Sequence, residues 1–362
     1  MVTLGPRILK TGLAVVLALY ITQWLGLEKP VFAGVAATFT IQPSIYRSWK
    51  QVLEQVQANV LGAAIALASI YVFGNSPIII GLVMIIVILV CLKLNMEGAI
   101  SLTLITVLVM MSAPAYEGLL AAAEKLVVVL VGMGSAFLVN ILVAPPNYKE
   151  NFMEKAESTF RNMSLLLRTA ISNEMVEKSF REQWDKLRSD ISRMEDLYKI
   201  LDEEREKISK LKPLDVREIV VFKQMLTCLQ QGLELLDIIE DHFFQTNPDE
   251  EASLLFDRQL EQLISYHEMI LLKFDGKIKA NQPGNEDEMI QDSGSFLEEV
   301  MEAYRADQGE KLRLVVIGSI IFDYAFQLGR LNHLIDQYIK KKRTSEKRDT
   351  VTRRLFKLLP KK

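Results

Sequence analysis

Charge is almost missing from the first 144 residues of this 362-residue chain. Seven basic and five acidic side chains stand there, against 75 charged residues after Pro145-Pro146. A water-soluble domain normally has about a quarter of its residues charged, so an ordinary soluble core is excluded for the front of the chain. Cysteine is scarce too: Cys91 lies in an apolar segment and Cys228 in the polar part. Two such distant residues exclude a disulfide framework and a thiolate cluster, and fit a reducing compartment for the polar part. The three histidines, His242, His267 and His333, stand at no ligand spacing from one another. No phosphate-cradling glycine loop, nucleophile motif or kinase signature is present. The sequence therefore offers no motif for an enzyme, and neither a metal nor a cofactor is expected. Any uphill movement of a solute would have to draw on something other than the chain's own ATP hydrolysis.

What is present is apolar. Six runs suit membrane helices: residues 8–25, 31–45, 52–73, 77–94, about 99–113 and about 119–144. A helix needs roughly 20 apolar residues to cross the hydrocarbon core, and the second run is short. The runs are continuous and rich in Leu, Ile, Val and Ala, without the alternation of a barrel, so helices are predicted throughout. Arg7 and Lys10 at the start of the first run resemble a signal peptide, but the length of that run and the five that follow predict an uncleaved first span. Arg7, Lys10, Arg47, Lys50, Lys93 and Lys149 fall on one side of the spans, and Lys29 and Lys125 on the other. The positive side is cytoplasmic, which puts both termini and residues 147–362 inside.

Residues 147–339 read as a helical bundle of five or six members. Phe160, Met163, Leu167 and Ile171 recur at steps of three and four, as do Leu187, Ile191, Met194 and Leu201, and Leu226, Leu229, Leu233 and Leu236. Pro213 suits the first position of a helix, and Asn247-Pro248 and the Asn281–Asn285 stretch mark turns. The nine apolar residues 314–322, bracketed by Arg313 and Asp323, are too few for a seventh span. The expected fold is all-α: a six-helix transmembrane domain over residues 1–146, a cytoplasmic helical bundle over 147–339, and a basic tail over 340–362.

That tail holds eleven Lys and Arg against two acids, so everything before it sums to about −12. Lys340, Lys341, Lys342 and Arg343, then Arg353, Arg354 and Lys357 among apolar residues, suit an anionic membrane surface at about 1 kcal/mol per basic residue. Nucleic-acid binding and a merely solvated tail are the competing readings. The lipid bilayer is the expected partner, and nucleic acid is not.

The richest polar stretch closes the second run. Pro43 removes a backbone donor, and such breaks are tolerated in membranes where they line a wet cavity. Around it Gln42, Ser44 and Ser48 offer neutral hydrogen-bonding groups, and Arg47 and Lys50 offer charge suited to a carboxylate. A plain cytoplasmic loop is the alternative. On the third run Gln55, Asn59, Gly62 and Ala66 share a face, and on the sixth Gly132, Ala136 and Asn140 do. The small residues suit close helix packing. As a pathway, Asn59 and Asn140 would sit at similar depth on the inner side. Glu124 and Lys125 fit the outer interface, with Lys125 snorkelling, or else Lys125 is an outer positive station of an anion path. Lys93 adds a cation at the inner side. The runs also divide into two sets of three, whose short middle members are flanked by Pro43 and Pro114, a pattern met in inverted-repeat transporters.

The first third resembles the aromatic acid exporter family, a small bacterial group within the fusaric-acid-resistance-like superfamily. Pro30-Val31-Phe32-Ala33-Gly34, Ile41-Gln42-Pro43-Ser44 with Ser48, and Gln55, Asn59 and Gly62 carry the likeness. The wider superfamily tends to have an Arg and a Gly-Thr pair where this chain has Gln55 and Ala58-Asn59. The resemblance implies efflux or channel-like permeation of small, often aromatic, carboxylic acids at a bacterial cell membrane. A distant likeness to malate-permeable plant anion channels, with a single set of spans, implies a homodimer. A membrane-anchored assembly or sensor protein, whose bundle binds a partner, is the alternative function, since the polar part is more than half the chain.

Overall fold

The computed structural model describes residues 6–42, 44–112, 118–143, 147–172, 177–208, 215–243, 250–278, 286–306 and 311–358. Among these the chain is all-α, with no strand, and it divides into two compact units, Met1–Asn147 and Tyr148–Lys362. Pro43, Pro114, Pro145-Pro146, Pro213, Asn247-Pro248 and residues 281–285 lie outside the described residues.

The first unit holds α1 (Pro6–Trp24), α2 (Val31–Thr40), α3 (Ile45–Phe73), α4 (Pro77–Lys93), a 3-10 turn at Glu97–Ala99, α5 (Ile100–Met111) and α6 (Gly118–Leu142). The second helix ends earlier than its apolar run, and the third begins at Ile45 rather than at residue 52. Ser44 explains the early start: its Oγ accepts from Arg47 N–H at 2.9 Å, an N-cap that satisfies one of the helix's orphan donors. Residues 45–50 are thus the opening turns of α3 and not a loop. Pro77 occupies the first position of α4, where its missing N–H costs nothing. Asn95, at φ +56°, ends α4 in the left-handed region, and the next N–H, of Met96, reaches back to Cys91 C=O at 2.9 Å.

Packing cuts across the two sequential sets of three. One core joins α1, α2 and α6 through Ala14, Ala18, Ala33, Ala37, Val128 and Ala136, and another joins α3, α4 and α5 through Ala58, Ala66, Val83, Val87 and Val107. Ala36, Leu102, Val129 and Met133 link α2, α5 and α6. Two glycines permit close helix approaches. A Cβ on Gly132 would lie 2.9 Å from Ala33 Cα, and one on Gly62 would lie 2.8 Å from Thr103 Cγ2 and 3.0 Å from Val107 Cγ2. Outward faces are apolar, with Ile78, Ile85, Leu89 and Leu138 exposed, and Trp24, Tyr71 and Phe73 are exposed near the last turns of α1 and α3.

The second unit holds α7 (Tyr148–Ser172), α8 (Glu177–Ile208), α9 (Val216–His242), α10 (Glu250–Phe274), α11 (Glu286–Ala306) and α12 (Leu312–Leu358). The apolar stripes read from sequence are buried, including Phe160, Met163, Leu167, Leu187, Ile191, Met194, Leu226, Leu229 and Leu236. Helix α9 starts at Val216, where Asp215 caps it by accepting from Arg217 N–H at 3.0 Å. Three described helical stretches are long and apolar enough to cross a membrane: Tyr46–Phe73, Glu124–Leu142 and Leu312–Lys342. The last is packed by α9, α10 and α11. Along it, Tyr324, Gln327, Asn332 and Asp336 bond to His267, Gln224 and Lys273 within the bundle. It has the length of a span and the contacts of a bundle core.

The basic tail is not a separate element. Helix α12 runs unbroken through residue 340 for 47 residues, roughly 70 Å at the helical rise. Residues 340–358 contain neither Gly nor Pro and are rich in Lys and Arg, which are good helix formers. Lys340, Lys341 and Lys342 are exposed. The side chains of Arg343, Arg353, Arg354 and Lys357 lie outside the description.

Candidate functional site

One end of the first unit gathers polar groups from four elements. The Ser44 cap turns the chain so that Ser48, one helical turn on, faces back toward the end of α2. Ser48 Oγ accepts from Gln42 N–H at 3.2 Å and from Asn140 Nδ2 at 2.8 Å. Asn140 Nδ2 also donates to Gln42 C=O at 3.2 Å, and Asn140 Oδ1 accepts from Lys10 Nζ at 3.1 Å. Lys10, Ser44, Ser48 and Asn140 are all buried, Lys10 at 6% exposure. Among the described residues no carboxylate pairs with Lys10. An ammonium out of water is costly unless paired, and here its partner is a neutral amide.

Deeper along α3, Gln55 Nε2 donates to Ala99 C=O and to Thr103 Oγ1, each at 3.2 Å, and Gln51 Nε2 donates to Gly98 C=O at 2.7 Å. These bonds tie α3 to the start of α5. Asn59 follows one turn beyond Gln55, fully buried, with neither amide atom partnered. It stands about 16 Å along α3 from the Ser48 that bonds Asn140, so the two amides do not share one depth as the sequence suggests. Gly62 then closes on Thr103 and Val107. Ala66 and Ala136 are fully buried in the two helix cores.

The structure therefore brings Gln42, Ser44, Ser48 and Asn140 together and leaves other expected residues apart. Lys50 is exposed and pairs with Glu54 at 3.5 Å. Arg47 is half-buried, and Lys93 is exposed in the last turn of α4. Lys125 lies toward the opposite end of α6, about 22 Å along the helix from Asn140. Its neighbour Glu124 accepts from Glu28 N–H at 2.8 Å, in the connection between α1 and α2.

Sequence reasoning missed Lys10 as a site residue, counting it only as a positive-side charge. A signal was available. Lys10, Ala14, Ala18 and Thr22 follow at steps of four, and all four are buried. A lysine on a small-residue face points inward. Thr103 was missed as well, since nothing local marks which threonine of α5 meets Gln55.

The second unit holds a cavity of about 410 Å³ between α7 and α10. Met153, Phe160, Leu271 and Leu272 supply apolar wall, and Glu150, Glu154 and Glu268 supply acidic groups. Behind Phe160, His267 Nδ1 bonds with Tyr324 Oη at 2.7 Å, and burial pushes the imidazole down to about 3. Burial also raises the Cys228 thiol well above its ordinary range, which makes it inert at neutral pH.

Apolar helices around an inward polar cluster with a buried cation define a class, a helical membrane protein with a polar site among its helices. The family described as aromatic acid exporter family member 1 matches residues 2–143. UPF0421 protein YgaE of Bacillus subtilis is 36% identical over 291 residues, 78% of this chain and 81% of the relative. A UPF0421 protein of Oceanobacillus iheyensis is 33% identical over 43% of this chain and 44% of its own length. One from Staphylococcus epidermidis is 31% identical over 44% and 49% respectively. The chain belongs to the aromatic acid exporter family, among its UPF0421 relatives. Membership in an exporter family points to membrane transport as its class of activity.

Proposed function

We propose that this protein moves small organic anions, aromatic carboxylates foremost, across the bacterial cell membrane. The carrying observation is Lys10, a buried ammonium bonded to the neutral amide of Asn140 with no carboxylate beside it among the described residues. Such a group attracts an anion that can replace the water it has lost. Gln42, Ser48 and Asn140 around it supply neutral polar contacts, and Arg47 and Lys50 supply long-range attraction on approach.

In this reading α1 to α6 are the spans, and the Lys10 cluster is the cytoplasmic mouth. The excess of Lys and Arg toward that end supports the direction. Aromatic side chains near both ends, Trp49 at one and Trp24, Tyr71 and Phe73 at the other, suit the two interfaces. The second unit is then cytoplasmic, and two copies form the working homodimer.

Purified protein in proteoliposomes tests this. Uptake of labelled aromatic carboxylates is expected to exceed that of matched neutral amides and amines, and Lys10→Gln is expected to cut it at least tenfold. No uptake of any carboxylate, or equal uptake of the neutral analogues, overturns the reading.

A further inference from the structure

Asn59 is the described side chain in which two polar atoms are both buried and both unpartnered, Nδ2 and Oδ1 together. Each such atom costs on the order of 1–3 kcal/mol when left unmet. No bulk water reaches a helix face packed in a membrane to relieve it. The position is not peripheral. Asn59 lies between Gln55, bonded to Thr103, and Gly62, pressed on Thr103 and Val107, so it sits on the seam of α3 against α5. It is eleven residues from Ser48, about 16 Å along α3. Half the hydrocarbon thickness is about 15 Å. With Ser48 at the inner mouth, Asn59 falls at the midplane, the depth at which transporters hold their solutes.

The two unmet atoms also say what they would take. An amide presents a donor and an acceptor side by side. A carboxylate only accepts, so it would satisfy Nδ2 and set its negative charge against Oδ1. A protonated carboxylic acid matches both, its carbonyl accepting from Nδ2 while its hydroxyl donates to Oδ1.

We infer that Asn59 is a midplane binding station for the solute's carboxyl group in its protonated form. This rests on the transport reading above. The anion gathered at the Lys10 cluster takes one proton from the water at that mouth, RCOO⁻ plus H⁺ giving RCOOH, and meets Asn59 as the neutral acid. It returns the proton on leaving. In the structure described here the seam is shut beyond Asn59 by Gly62 against Thr103 and Val107, so passage requires α3 and α5 to part. One proton travels with each solute, and the transfer is electrically silent.

The test uses the full chain in proteoliposomes, with a hydroxylated aromatic acid that crosses protein-free liposomes slowly. Two readouts decide it. First, Asn59→Leu removes an orphaned polar group and is expected to melt at a higher temperature than the wild type while losing at least tenfold in flux. Unchanged flux in that variant overturns the inference. Second, flux through the wild type is expected not to respond to a potassium diffusion potential imposed with valinomycin. Flux that scales with that potential shows the anion itself crossing and overturns it. The transport reading fails in a different way, by the absence of wild-type flux or by a Lys10→Gln variant that transports normally.

Discussion

Asn140→Asp separates the fold of the polar cluster from its use. Asn140 accepts from Lys10 at 3.1 Å and donates to Ser48 Oγ at 2.8 Å and Gln42 C=O at 3.2 Å. Aspartate keeps the size and puts a carboxylate on Lys10. At that distance, with an effective dielectric near 20, the attraction is roughly 5 kcal/mol before desolvation, and desolvation of the new charge removes much of it. The two lost donor bonds cost about 0.6 kcal/mol each, the average for polar contacts between membrane helices. The Ser48 hydroxyl can turn to donate to the new carboxylate. These terms nearly cancel, and the variant is expected to melt within about 2 kcal/mol of the wild type. The solute meets a different site, because Lys10 is now neutralised from within. A loss of about 3 kcal/mol in anion attraction is on the order of 100-fold in half-saturating concentration. The assay is concentration-dependent uptake of a labelled aromatic carboxylate, with a thermal melt of the same preparation. Unchanged half-saturation at an unchanged melting temperature refutes the reasoning, since Lys10 would then not be reading the solute's charge.

His267 in the bundle is held neutral by burial, with its pKa pushed down to about 3. The unfolded chain takes up that proton near pH 6.5, so the bundle loses stability as pH falls from about 6.5 toward 3, by about 2 kcal/mol at pH 5. Thermal melts from pH 7.5 to 4.5 check this against His267→Gln, which is expected to show a shallower fall; parallel curves contradict it. Gly132→Ala would drive a Cβ into the Ala33 backbone and push α2 from α6, costing about 1–3 kcal/mol as overpacking does. A melting temperature equal to the wild type's would show that the two helices separate without strain.

Much of the architecture was legible because helix periodicity and apolar run length are local properties. The stripe Phe160, Met163 and Leu167 announced its burial, and five of the six apolar runs end within a few residues of their helices. The boundary between α2 and α3 was not read correctly, because Arg47 and Lys50 look like loop charges until Ser44 is seen capping the helix that carries them. The same limit applied to the site. Ser48 and Asn140, 92 residues apart, share a hydrogen bond that no local pattern marks. Lys10 was set aside as an orientation charge because its partner lies 130 residues away. The continuous α12 was hidden by a change of composition at residue 340 that turns out to carry no change of backbone.

Uptake by proteoliposomes containing wild type, Lys10→Gln or Lys10→Arg tests the central claim most directly. A buried cation that gathers organic anions predicts at least a tenfold loss of aromatic carboxylate uptake in Lys10→Gln and substantial retention in Lys10→Arg. Equal uptake by all three proteins would contradict it.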